Sequence, residues 1–128
     1  MNRRNVLTAI IAATAGGTRA PAAEKPIQLH TDLEVKQGSE KALLADFEKL
    51  FLPRIRKAPG FVDAKLLKFR KANVGQAHDR YNYRLVQSFT TEELREKWTV
   101  HEDHKIAWHT AIEKHVNTPF VAYLFEVA

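Results

Sequence analysis

The sequence predicts an α+β fold in which a four-stranded antiparallel sheet carries two helices on one face. Three observations predict it. Hydrophobic spacing switches between a period of two and a period of 3.6 in the order strand, helix, strand, strand, helix, strand, a split βαβ repeat. Gly38, Pro59-Gly60 and Pro119 punctuate that order. The chain has 128 residues, 45% of them hydrophobic, with five Gly, five Pro and no Cys, a composition that suits one core rather than a linker or a disulfide scaffold.

Each element has its own signal. In IQLHTDLEVKQ, residues 27–37, apolar Ile27, Leu29, Leu33 and Val35 alternate with polar side chains, as on a half-buried strand. Gly38 ends it, and Ser39 is placed to cap a helix whose apolar stripe is Leu43, Leu44, Phe47, Leu50, Phe51 and Ile55. Pro53 lies inside that stripe and predicts a kink or an early end near Leu52. FVDAKLLKFR (61–70) and YNYRLVQSFT (81–90) read as a hairpin with a long polar loop. Thr90 and Glu93 have the spacing of a capping box opening a second helical region that runs to about His115. Asn117-Thr118-Pro119 stops it, and residues 120–127 supply the last strand. On that strand Phe120 and Leu124 point one way and Val121, Tyr123, Phe125 and Val127 the other. A strand apolar on both sides predicts a second buried surface, which a partner sheet in a homodimer would supply.

Residues 1–22 stand apart from this pattern. Arg3 and Arg4 precede a short apolar run from Val6 to Ala15, and Ala20-Pro21-Ala22 is a small-residue cleavage site. NRRNVLTA resembles the bacterial twin-arginine motif, which implies an exported, periplasmic or otherwise extracytoplasmic domain over residues 23–128. The apolar run is half the length a membrane span needs, so stable membrane insertion is not expected. Loss of Arg3, Arg4 and Arg19 lowers the net charge from +5 to +2. With Lys and Arg dispersed among Glu and Asp, no nucleic-acid partner is expected.

The segment HEDHKIAWHTAIEKH (101–115) holds four of the six histidines. At helical spacing His101, His104, Trp108, Ala111, Ile112 and His115 share one face, and His109 lies off it. Lys97 would fall on the same stripe if the helix ran unbroken, so a phase break is expected between Val100 and Asp103. His101 and His104 are close enough to share a metal, but His115 would lie roughly 21 Å from His101 along one helix. The alternatives are core histidines that only make hydrogen bonds, or a cavity lined by His104 and Trp108 with His101 at its mouth.

LEVKQGSEKALLADFEKLFLPRIRKAPGF and YRLVQSFTTEELREKWTVHEDHKIAW resemble the antibiotic biosynthesis monooxygenase superfamily, whose members are dimeric α+β barrels of ferredoxin-like protomers. The resemblance implies a cofactor-independent oxygenase acting on a quinol or another electron-rich aromatic. Such a protein supplies a base, an oxyanion partner and a dry cavity. His104 or, alternatively, His101 would be the base, with Trp108, Trp98 and Tyr83 binding the substrate. A non-catalytic module holding a small hydrophobic ligand is the alternative. Haem-degrading relatives carry an Asn on the first strand, where Thr31 stands here, so haem or a bound metal ranks below both.

Overall fold

The computed structural model describes residues 25–77 and 80–128. The expected twin-arginine signal, residues 1–22, lies outside the described residues, as do residues 78 and 79 of the long loop. The sheet consists of β1 (Ile27–Val35), β2 (Phe61–Lys68), β3 (Tyr83–Phe89) and β4 (Val116–Glu126), in the spatial order β2-β3-β1-β4. All neighbours are antiparallel. The first helical region is α1 (Glu40–Asp46), a wide π turn (Phe47–Phe51) and α2 (Leu52–Ile55). The second is α3 (Glu92–Val100), α4 (Glu102–Ala107), a π turn (Trp108–Ile112) and a short 3₁₀ turn (Glu113–His115). This is the split βαβ arrangement with both helical regions on one sheet face.

The core lies between them. Leu33 and Leu85 from the sheet, Leu43, Phe51 and Ile55 from the first helical region and Ile112 from the second are fully buried. Each such side chain contributes about 1.5–3 kcal/mol relative to exposure. Trp98 is also buried and meets Phe51 edge-on, with ring centroids 6.4 Å apart.

Several boundaries differ from expectation, each for a local reason. β1 ends at Val35, because Lys36 and Gln37 turn out of the sheet ahead of Gly38, whose φ is +84°. Ser39 occupies the cap position of α1 but its side chain makes no capping bond. The helix does not end at Leu52: the Leu52 N–H reaches back five residues to the Phe47 carbonyl. That widened turn absorbs the donor missing at Pro53, which then sits in the first turn of α2, where proline is tolerated. β2 and β3 are shorter than the expected hairpin strands by two residues at Lys68, by two at Tyr83 and by one at Phe89.

The helix cap is Thr91 rather than Thr90, its hydroxyl accepting the Leu94 N–H at 3.2 Å, so the Thr90–Glu93 capping box is not formed. β4 begins at Val116 and runs through Pro119 instead of starting after it. It is an edge strand whose register shifts between the Asp32–Val121 and Glu34–Asn117 pairs, and Pro119 falls inside that irregularity with a cis peptide bond. Edges and bulges are where a strand tolerates a residue without an N–H.

Candidate functional site

The break expected near Val100 is present and positions the site. His101 is extended (φ −76°, ψ 149°), closing α3 and opening α4. Its Nδ1 accepts the Asp103 backbone N–H at 3.0 Å, so the ring acts as the cap of α4. The break resets the helical phase. Trp98 before it and His104 after it both face the sheet, in edge-on contact at 5.2 Å, and Trp108 lies one turn further on, its ring 6.3 Å from His104 and nearly parallel to it.

A cavity of about 260 Å³ lies here between the second helical region and the sheet. His104 and Trp108 line it together with Arg95 and Thr99 of α3. Its floor is Leu29 and Thr31 of β1, Gln87 of β3, and Phe120 and Ala122 of β4. Phe120 packs on Trp108 at 5.2 Å and stays exposed, which makes the β4 edge the solvent side. Apolar walls with a few convergent polar groups are the usual make-up of a small-molecule pocket.

The polar groups are fixed by bonds to their neighbours. Burial pushes the His104 pKa below its ordinary value, the nearby Thr99 backbone opposes this, and the charge of Arg95 adds to the lowering. The ring is therefore neutral near pH 7. A neutral imidazole has one nitrogen with a lone pair, which can accept a proton. Arg95 is clamped by Glu92 through Nε at 2.8 Å and Nη2 at 2.6 Å, and its Nη1 donates to the Thr99 hydroxyl at 3.1 Å. Gln87, buried in β3, accepts the Trp98 indole N–H at 3.3 Å, which leaves its amide NH₂ as a donor on the cavity floor.

The other histidines and the tyrosine are placed elsewhere. His101 lines a separate cleft. Tyr83 faces the helices, but at the far end of the sheet, where its hydroxyl donates to Glu40 at 2.8 Å. His109 is exposed beside Glu113. His115 is buried against Asp46, with Nε2 at 2.8 Å from the carboxylate, and ties the end of the second helical region to α1. Among the described residues no three His, Cys, Asp or Glu side chains converge as a metal site. A porphyrin is larger than the cavity, and Thr31 stands on its floor. Thus His104 and Trp108 share one cavity, Trp98 packs edge-on against His104 without lining that cavity, and His101 and Tyr83 are outside it.

Sequence reasoning missed Arg95 and Gln87. Gln87 had a signal: it occupies a core-facing position between Leu85 and Phe89 in an otherwise apolar alternation. Arg95 had none, since an arginine in an acidic helical turn reads as solvated.

No family model and no curated protein matches the sequence. Solved structures do match its shape. A dimeric ferredoxin-like protein of unknown function from Jannaschia sp. CCS1 is 16% identical, with a TM-score of 0.64 over 80% of this chain and 99% of that one. A protein from Bordetella bronchiseptica, described as a candidate antibiotic biosynthesis monooxygenase, is 15% identical, with a TM-score of 0.66 over 82% and 99% of the two chains. SnoaB, a cofactor-independent oxygenase from Streptomyces nogalater, is 16% identical, with a TM-score of 0.62 over 80% and 93%. At these identities the likeness carries the architecture and not the activity: the chain has the ferredoxin-like fold of the antibiotic biosynthesis monooxygenase-like proteins.

Proposed function

We propose that the protein is a cofactor-independent oxygenase that oxidises an electron-rich phenol, quinol or anthrone with dioxygen. The observation that carries this reading is a half-buried histidine, His104, set between two tryptophans on a cavity that Arg95 also lines. The fold it shares with SnoaB supports the reading.

The chemistry asks little of the protein. His104 takes the acidic proton of the substrate, and Arg95 and the Gln87 amide stabilise the resulting oxyanion. The anion passes one electron to dioxygen, and the two radicals join in a carbon–oxygen bond. Protonation by the histidinium gives a hydroperoxide. Loss of water then leaves the ketone of a quinone, with one oxygen atom of O₂ in the product and the other in water. Trp108 and Phe120 hold the flat substrate and limit access of water. Oxygen uptake by the metal-stripped protein with quinols and anthrones is the test. Uptake above the uncatalysed rate supports the reading, and ligand retention without turnover replaces it with a binding module.

The active form in this proposal is a homodimer joined through the open sheet face, as the dimeric Jannaschia neighbour suggests. Leu67, Tyr123, Phe125 and Val127 are exposed there, around a bidentate Arg84–Asp32 pair with contacts of 2.6 and 3.1 Å. Nδ1 of His30, buried on that face, has no hydrogen-bond partner among the described residues. A partner sheet would cover these apolar groups. Sedimentation should give a dimer that Phe125→Arg dissociates. Export through the twin-arginine motif completes the proposal, and N-terminal sequencing of protein recovered from the periplasm tests it.

A further inference from the structure

A second cleft lies on the other side of Trp98 and shares no wall residue with the His104 cavity. It measures about 290 Å³ and has an apolar floor of Ala58, Pro59, Leu94 and Trp98. Its walls are held together tightly. Gly60, at φ +83°, packs so close to α3 that a Cβ there would lie 2.5 Å from the Leu94 Cδ1 and 2.9 Å from the Leu94 Cβ. The turn after α2 and the α3 face thus form one preformed wall rather than two that move independently.

The rim is cationic. Arg54, Lys57 and Lys97 line it against the single carboxylate of Asp103. Arg54 gives one nitrogen, Nη1, to Asp103 at 2.9 Å, which orients the guanidinium and leaves its other donors over. Lys97 meets Glu93 only at 3.9 Å, with both side chains exposed, and no ion pair holds Lys57 among the described residues. His101, whose Nδ1 accepts from the Asp103 backbone, carries its proton on Nε2 when neutral and so adds a donor to the same rim.

We propose that this cleft is a second binding site, for a planar aromatic carboxylate of one or two rings. The rings lie on Pro59, Leu94 and Trp98, and the carboxylate meets Lys57, Lys97 and the remaining guanidinium donors of Arg54. An excess of two cations over the one carboxylate selects an anion, and the volume limits the body to a small one. The proposal is independent of oxygenase activity.

The test titrates the full chain with 2-naphthoate and, separately, with uncharged 2-naphthalenemethanol, following the two tryptophan indole N–H signals by NMR. The expected result is that naphthoate shifts the Trp98 signal and not that of Trp108. Binding should be tighter than for the alcohol and weaken with salt. The Lys57→Gln/Lys97→Gln variant should bind naphthoate about fivefold more weakly, the scale expected for two partly exposed charges. Lys41→Gln/Lys49→Gln, which removes the same charge from α1 and the turn after it, should bind as wild type. Equal affinity for the alcohol, a shift of Trp108 in place of Trp98, an equal loss in the Lys41/Lys49 control, or no shift at either indole would each overturn the proposal.

Discussion

The second helical region carries two histidines on its inner stripe, one midway along it and one at its end, and gives them opposite surroundings. Midway, His104 sits among Trp98 and Trp108, and burial lowers its pKa. At the end, His115 is bonded to Asp46 at 2.8 Å, with Lys114 at 3.3 Å from the same carboxylate. A histidine with a carboxylate partner and little exposure is a tie between elements. A histidine in an apolar cavity without such a partner keeps a lone pair for chemistry. Helical periodicity places both on the inner face, and only the element packed opposite separates them.

Substitutions can break that contrast from either side. The largest effect is expected for His104→Ala, which should lower oxygen uptake with an anthrone by at least ~10²-fold while leaving the fold intact, because a general base contributes about 10²–10⁴. Uptake in this variant equal to wild type would remove His104 from the mechanism. Arg95→Gln should cost about tenfold in uptake, since a positioned charge on a developing oxyanion is lost while the size of the side chain is nearly kept. A rise in KM without a fall in kcat would instead assign Arg95 to substrate binding.

His115→Ala should do the reverse, leaving uptake unchanged and lowering unfolding stability by about 1 kcal/mol through loss of the buried imidazole and its hydrogen bond to Asp46. The smallest effect concerns pH. The hydrogen bond from His115 is the main cause that holds the Asp46 carboxyl below its ordinary pKa, with Lys114 second. A depressed carboxyl pKa adds stability above the unfolded-state value, and that part is lost as pH falls through the folded-state value. Asp46→Asn should therefore flatten the acid limb of the stability curve below about pH 4, the ordinary carboxylate range, as followed by thermal melts.

The layout of the fold was legible because each element carries its own period, and the two helical regions and four strands follow from it. The ends were not. Pro53 and Pro119 read as breaks because proline removes a donor, yet a π turn in one case and an irregular edge strand in the other leave that donor unneeded. At the site, the stripe of His104 and Trp108 and the break at His101 were legible from 100° spacing and the misplaced Lys97. The destination of Tyr83 was not, since strand alternation gives the face of the sheet but not the position along it. Nor was the role of Arg95, whose inward placement depends on the Glu92 clamp and on Thr99 one turn away.

The measurement that bears most directly on this account is an NMR titration of the histidine ring carbons, resolving His104 from His115 by substitution. The account predicts that His104 titrates below its ordinary value of 6.5 and stays neutral at pH 7, and that oxygen uptake falls as pH drops through that same midpoint. A His104 midpoint at or above 6.5, or uptake that does not follow it, would contradict the claim that the middle of this helical region holds a half-buried neutral base.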